Sequence, residues 1–473
     1  MTPAQTPGGP DGRADDLVQA TEIPGLLVVR LGVHGDSRGW FKENWQRTKM
    51  VAAGLPDFEP VQNNVSFNTD TGVTRGIHAE PWDKYVTVAS GRVFGAWVDL
   101  RPGESFGRAV TLELGPDRGV FVPRGVGNAF QTLEDSTAYS YLVNDHWSAA
   151  ARESYTFLNL ADETVAIDWP IPLDRAELSD ADRKHPRLTD VRPMAPRPVL
   201  VTGAGGQLGR ALVRALPHAV AVGRDVLDLA DPASVAAFDF APYGTIVNAA
   251  AYTAVDAAET AEGRRDAWAT NVTGVAALVE AARRHRATLV HVSSDYVFDG
   301  TLELHPEDEP FAPLGVYGQT KAAGDALVAT LPRHLVLRTS WVVGEGRNFV
   351  ATMASLADRG ISPSVVDDQH GRLTFADELV RAIVHLLAEG APSGTYNVTN
   401  GGPSRTWADI ARDVFVLRGR DAADVTGVST EAYGAGNDLA PRPRHSTLDL
   451  GRLEATGFVP EDAAEAVRRY VAG

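Results

Sequence analysis

Val199-Leu200-Val201-Thr202-Gly203-Ala204-Gly205-Gly206-Gln207-Leu208-Gly209 reads as a buried strand, a glycine turn and the start of a helix, deep inside a chain of 473 residues. Gly203, Gly206 and Gly209 suit a tight turn, a close approach of backbone N–H groups to a pyrophosphate, and close packing of helix on sheet. The helix N-terminus then faces the phosphates, where unpaired N–H groups favour negative charge. A glycine triplet also arises by chance in a chain with 45 glycines, so its meaning rests on the downstream residues. Its late start implies a second domain before it, since the whole length exceeds what one hydrophobic core organises.

Composition narrows the classes. The chain carries 61 acidic and 44 basic side chains, a formal charge of -17, and no dense Lys/Arg block to track a phosphate backbone, so no nucleic-acid partner is expected. The absence of cysteine excludes disulfides, thiolate nucleophiles and Cys-ligated zinc, and fits a cytoplasmic location. Residues 1–21 are rich in Pro, Gly, Asp and Gln, with no signal-peptide core, and no membrane span occurs later. They are expected to form a disordered leader. Residues 183–197, rich in proline and basic side chains, read as a semi-extended linker between domains 22–182 and 198–473.

Downstream of the glycine turn, strand-like Ala219–Val222, Thr245–Ala250 and Thr288–Ser293 alternate with helical stretches such as Arg265–Arg284. That alternation predicts a parallel α/β sheet whose ligands lie at the carboxyl ends of the strands, where Asn248 and Ser294 fall. Tyr317-Gly318-Gln319-Thr320-Lys321 puts a phenol and an ammonium on one helix face. The ammonium favours proton donation from the phenol to a ketone oxygen, Ser294 can hydrogen-bond the same oxygen, and Lys321 can also hold a nicotinamide ribose. Arg224 comes just after the second strand and could meet a 2'-phosphate, while Asp225 could accept from a 2'-hydroxyl. NADPH is therefore the expected cofactor, with NADH the alternative.

The first half has another pattern. Tyr85–Ala89, Val93–Val98, Ala109–Leu114 and Tyr139–Val143 are short, rich in β-branched and aromatic residues, and several are separated by turn residues. They predict an all-β jelly roll or barrel. Its histidines, His34, His78, His146 and His185, are scattered in sequence, and no metal is expected there.

His34–Glu43, Arg75-Gly76-Ile77-His78, Lys84-Tyr85-Val86 and Ile167-Asp168-Trp169-Pro170 together resemble dTDP-4-dehydrorhamnose 3,5-epimerases, from about Ile23 to Asp182. The resemblance implies a cofactor-free, cupin-like jelly roll. It gives His78 the role of base, Asp182 that of its orienting carboxylate, Lys84 that of enolate-stabilising cation and Tyr141 a role on the opposite ring face. Base and cation suit the chemistry, because charge developing on a ketone oxygen needs a pre-placed positive group. It further assigns Arg38, Glu43, Gln62, Asn64, Arg75, Asn128 and Trp147 to the sugar nucleotide, and implies a homodimer formed through this domain. Asn128 stands where the family has a histidine, and Trp147 where an aromatic, usually tyrosine, packs beside the sugar. Whether one ring carbon or two is epimerised stays open.

Residues 198–473 resemble dTDP-4-dehydrorhamnose reductases of the extended short-chain dehydrogenase class. The match is carried by Gly203–Gly209, Val247–Asp256, Val290–Gly300, Tyr317–Lys321, Arg338–Val342 and Arg442–Asp449. The resemblance implies a Rossmann fold with a smaller substrate-binding subdomain. Cofactor contacts would fall on Gly203, Gly206, Gln207, Leu208, Gly209, Arg224, Asp228, Leu229, Ala249, Ala250, Tyr252, Tyr317 and Lys321, and sugar contacts on Trp341, Asn348 and Phe349. The combined expectation is a multi-domain enzyme acting on dTDP-sugars: epimerisation of dTDP-4-dehydro-6-deoxy-glucose, then reduction at C4. The alternatives are a related dTDP-deoxysugar, a reductase with an inactive first domain, and a non-catalytic regulatory binding protein.

Overall fold

The computed structural model of the chain describes residues 17–149, 151–436 and 438–472. Its contacts divide into two units between Pro196 and Arg197.

The first unit is built from two antiparallel sheets. One runs, edge to edge, through Val18–Ala20, Leu27–Arg30, Arg118–Val122, Lys84–Ser90, Thr137–Val143 and Gln62–Asn68. The other runs through Thr156–Phe157, Thr74–Ala79, Val126–Thr132, Val93–Asp99 and Ala109–Leu114. Val86, Val88 and Val120 of the first sheet share a core with Trp97, Val126 and Phe130 of the second. Strands Val93–Asp99 and Val126–Thr132 are buried at nearly every position instead of alternating. The reason is that their outer face is also covered: Val98 and Ala129 pack with Leu158, Trp169, Leu188, Val191 and Met194. On the other sheet, Tyr85 and Phe121 pack with Met50, Leu55 and Phe58.

Two boundary expectations need correction. The segment 183–197, expected as a linker, is docked through Leu188, Val191 and Met194, which recur every three residues and are all buried. Proline content stops helices and strands but does not prevent docking by apolar residues at that spacing. The leader, expected to be disordered through residue 21, includes the strand Val18–Ala20, which pairs with Leu27–Arg30. Residues 1–16 lie outside the described residues.

The second unit has a six-stranded parallel sheet in the order Val220–Val222, Val199–Thr202, Thr245–Asn248, Thr288–Ser294, His334–Thr339 and Gly394–Asn397. One apolar cluster joins its strands to helices Gln207–Ala215 and Ala376–Ala388, and a second joins them to helix Gly274–His285. A third cluster gathers helices Phe349–Asp358, Trp407–Leu417 and Ala463–Ala472 away from that sheet.

Candidate active sites

In the first unit a cavity of about 390 Å³ opens between the sheets' residues and the chain that returns across them. Its lining includes His78, Lys84, Tyr141, Asp182, Arg75, Asn128 and Trp147, so seven side chains singled out in the sequence converge there. His78 leaves the strand Thr74–Ala79, and its Nε2 lies 2.9 Å from Asp182 Oδ1. Asp182 sits in the short helix Asp180–Arg183, capped by Ser179. Burial alone would raise its carboxyl pKa, but hydrogen bonds with His185 and His78 hold it well below the usual carboxylate range. A permanently ionised acceptor fixes the Nε2–H tautomer of His78 and leaves Nδ1 as its basic nitrogen.

Lys84 is buried, paired with Glu80 at 2.7 Å, and its Nζ lies 5.2 Å from the centre of the Tyr141 ring. The Tyr141 phenol pKa is raised by burial and by Glu80. Asn128 opposes His78 in strand register and accepts a hydrogen bond from the Tyr139 hydroxyl at 3.0 Å.

Three residues were missed in the sequence. Glu80, Arg152 and Tyr155 were given no role, yet all line the cavity. A fourth, His185, was read as one of four scattered histidines. Its Nε2 is 3.1 Å from the same Asp182 oxygen, and its ring stacks on Phe157. The expected absence of a metal rested on that scattering, whereas His78, Asp182 and His185 lie together.

Four assigned residues do not line the cavity. Arg38 is exposed and paired with Asp36 on the hairpin Val33–Asp36/Gly39–Lys42, and Glu43 is paired with Lys49. Gln62 and Asn64 hydrogen-bond each other, on the face of their strand that carries the cavity residue Ser66.

The second unit holds a cavity of about 470 Å³ at the carboxyl ends of its strands, lined by Gly206, Gln207, Leu208, Ala249, Ala250, Ser294, Tyr317, Lys321 and Trp341 among others. The glycine turn fits a nucleotide for a measurable reason. Gly203 has φ +69°, a Cβ on it would lie 2.7 Å from Ala250 N, and a Cβ on Gly209 would strike the Gly203 carbonyl. Only glycine keeps that loop against the sheet.

Tyr317 and Lys321 project from helix Val316–Val328, both buried. Burial raises the Tyr317 pKa further above its ordinary value, with Asp295 adding to the rise and a hydrogen bond to Ser294 opposing it. Burial lowers Lys321 to about 8. Asp295, fully buried beside Ser294, is raised to about 6 by desolvation. Trp341 has φ +47° and stacks on Trp407 at 3.8 Å, which in turn packs on Phe349. An adjoining cavity of about 730 Å³ is lined by Phe349, Gln369, Asp256 and Arg442, and shares Tyr296 and Trp407 with the first.

Several residues assigned to the cofactor and the sugar lie outside the cavity linings. The Leu229 side chain is buried in an apolar cluster with strand and helix residues. Asn348 caps helix Phe349–Asp358, and its amide also bonds Gly344 O and Tyr470 Oη, which commits it to the fold. Arg224, Asp228 and Tyr252 lie outside the cavity lining; Arg224 is exposed, and Asp228 accepts from Ala230 N. Asn271 was missed. It lies in the π-helical turn Ala269–Thr273, where its amide bridges the Tyr252 backbone to Thr320. Such turns interrupt helices at functional positions, and nothing in the apolar period signals one.

Comparison with known proteins agrees with this division. A relative from Streptococcus pyogenes serotype M6, "Protein RmlC homolog", is 52% identical over 181 residues, covering 37% of this chain and 91% of that protein. A dTDP-4-dehydrorhamnose reductase from Aggregatibacter actinomycetemcomitans is 38% identical over 293 residues, covering 57% of this chain and 97% of that one. A crystal structure of dTDP-4-dehydrorhamnose reductase from Bacillus anthracis in complex with NADP is 32% identical, has a TM-score of 0.54, and covers 58% of this chain and 98% of that one. The family described as "dTDP-4-dehydrorhamnose 3,5-epimerase" matches residues 20–190, and that described as "RmlD substrate binding domain" matches residues 197–473. The chain therefore belongs to both families, an epimerase domain fused to a reductase domain.

Proposed function

We propose that the chain converts dTDP-4-dehydro-6-deoxy-glucose to dTDP-L-rhamnose in two steps, epimerising the sugar in the first unit and reducing its C4 ketone in the second. The observation that carries this reading is the His78–Asp182 pair at 2.9 Å, facing one cavity with Lys84 and Tyr141. In the first step His78 takes the proton from the carbon beside the ketone, and Asp182 stabilises the imidazolium that results. Negative charge moves to the ketone oxygen, where Lys84 meets it. Tyr141 returns a proton from the other ring face, inverting the centre. Asn128 can offer the sugar a hydrogen bond but no titrating group.

In the second step Tyr317 gives its proton to the C4 oxygen, Ser294 hydrogen-bonds that oxygen, and Lys321 stabilises the phenolate. NADPH, when bound, supplies the hydride, and Gly206, Gln207, Leu208, Ala249 and Ala250 would hold it. The NADP complex of the Bacillus anthracis reductase favours NADPH over NADH. The nucleotide end of the sugar substrate extends along Phe349 and Arg442 in the adjoining cavity.

The jelly-roll domain pairs with a second copy, which brings Arg38 and Glu43 to the partner's cavity. Phe41, 71% exposed on the hairpin, and Phe67, 61% exposed on the sheet edge, support this, because such apolar area invites burial. The cysteine-free sequence supports a cytoplasmic site of action. No helix among the described residues is long and apolar enough to cross a membrane.

The test uses the whole chain and dTDP-4-dehydro-6-deoxy-glucose in deuterated water, with NADPH added afterwards. Label at C3 and C5 with subsequent NADPH oxidation supports both steps; label at one carbon redefines the first; oxidation without label leaves only the second.

A further inference from the structure

Tyr317, Lys321 and Asp325 recur at intervals of four along helix Val316–Val328, so all three share a face. Lys321 must carry charge to help Tyr317, and it is buried. Its Nζ donates to the Val292 carbonyl at 2.7 Å and lies 3.4 Å from His291 Nε2. His291 cannot supply a counter-charge or even a lone pair. The Asn248 carbonyl oxygen is already taken by Thr202 Oγ1 and Ala250 N, so its amide nitrogen donates to His291 Nδ1 and the proton of the neutral ring lies on Nε2. Burial and Lys321 push His291 well below its ordinary pKa, which keeps it neutral.

We propose that Asp325 is a positioning residue for the reduction: its carboxylate, held in place by Arg338, is the counter-charge that keeps Lys321 protonated one helical turn from Tyr317. Arg338 Nε donates to Asp325 Oδ2 at 3.0 Å, and both side chains are buried. Arg338 itself is fixed by the Glu307 carbonyl and lies over the Phe298 and Phe311 rings. The groups facing Lys321 are Tyr317 and Asp325 on its own helix, His291, Ser293 and Asp295 on or next to strand Thr288–Ser294, and Arg338 on strand His334–Thr339. Among them Asp325 is the opposite charge that counters, without cancelling, the lowering of Lys321 by burial. Above a pH near 8 Lys321 loses its proton, and the reduction slows. Removing the Asp325 charge moves that loss to lower pH.

This inference rests on the reductase reading, and the experiment separates the two. The pH dependence of kcat for NADPH oxidation is measured with dTDP-4-dehydro-L-rhamnose on the whole chain. Absence of turnover in the unsubstituted chain overturns the functional reading. With turnover present, Asp325→Asn should move the alkaline limb down by about one pH unit, the scale for losing a nearby opposite charge, and Asp325→Glu should restore it. Asp325→Asn strands Arg338, so Asp325→Asn/Arg338→Met, which removes the guanidinium together with its partner carboxylate, gives a second route and should move the limb in the same direction. An unmoved limb in a folded variant, even with a lower melting temperature, would show that Asp325 only neutralises Arg338.

Discussion

Replacing Asp182 with asparagine tests the epimerase site most directly. The carboxylate oxygen is 2.9 Å from His78 Nε2 and its side chain is 8% exposed. At that distance an imidazolium and a carboxylate attract by about 6 kcal/mol in a medium of effective dielectric near 20. His78 is one-third exposed, and His185 shares the same oxygen at 3.1 Å, so about half of this is available to the developing charge. The amide keeps a neutral hydrogen bond but not the charge, and the loss of about 3 kcal/mol predicts a fall of about two orders of magnitude in proton abstraction. The assay is deuterium incorporation at C3 and C5 by mass spectrometry, with NADPH oxidation of pre-epimerised substrate as a control within the same chain. Incorporation within threefold of the unsubstituted enzyme, in a variant with unchanged reductase activity, would refute the assignment of His78 and Asp182 as a functional pair. A stability signature accompanies it. The depressed carboxyl contributes stability at neutral pH that is lost as pH falls through the acidic range below about 4, and Asp182→Asn should remove that dependence.

Other outcomes are equally specific. Tyr317→Phe should cut NADPH oxidation by about two to four orders of magnitude while leaving deuterium exchange intact, because only the second site loses its proton donor. Gly203→Ala should destabilise the second unit and weaken NADPH binding at least tenfold by calorimetry, since the new Cβ meets Ala250 at 2.7 Å in a backbone of positive φ. Asp295 is raised from 3.8 to about 6, so its burial costs stability as pH rises through that interval; Asp295→Asn should gain up to about 3 kcal/mol above pH 6 in chemical denaturation and nothing below pH 4. Phe41→Asp should shift the chain toward monomer by light scattering and lower epimerase more than reductase activity; an unchanged mass would place the subunit contact elsewhere.

Local and periodic chemistry was legible without coordinates. The strand, glycine turn and helix at Val199–Gly209, the helical spacing of Tyr317 and Lys321, and the strand-end position of Ser294 each depend on residues within one or two elements of the chain. Hydrogen bonding and side-chain period force those geometries wherever the residues occur. Resemblance extended this to His78 and Asp182, which are 104 residues apart.

What only the tertiary structure decided involves residues whose partners arrive from elsewhere. His185 reaches Asp182 because apolar Leu188, Val191 and Met194 dock a proline-rich segment onto the sheet, so a stretch that reads as a linker supplies a second partner to the site's carboxylate. Glu80 becomes the partner of Lys84 through burial, and Asn348, which resemblance places at the sugar, is used up as a helix cap. Asp325 acquires its meaning from Arg338 on a neighbouring strand. A charge or an imidazole has no fixed role in sequence, because its protonation and reach are set by solvent exclusion and by groups that only long-range packing brings within a few ångström.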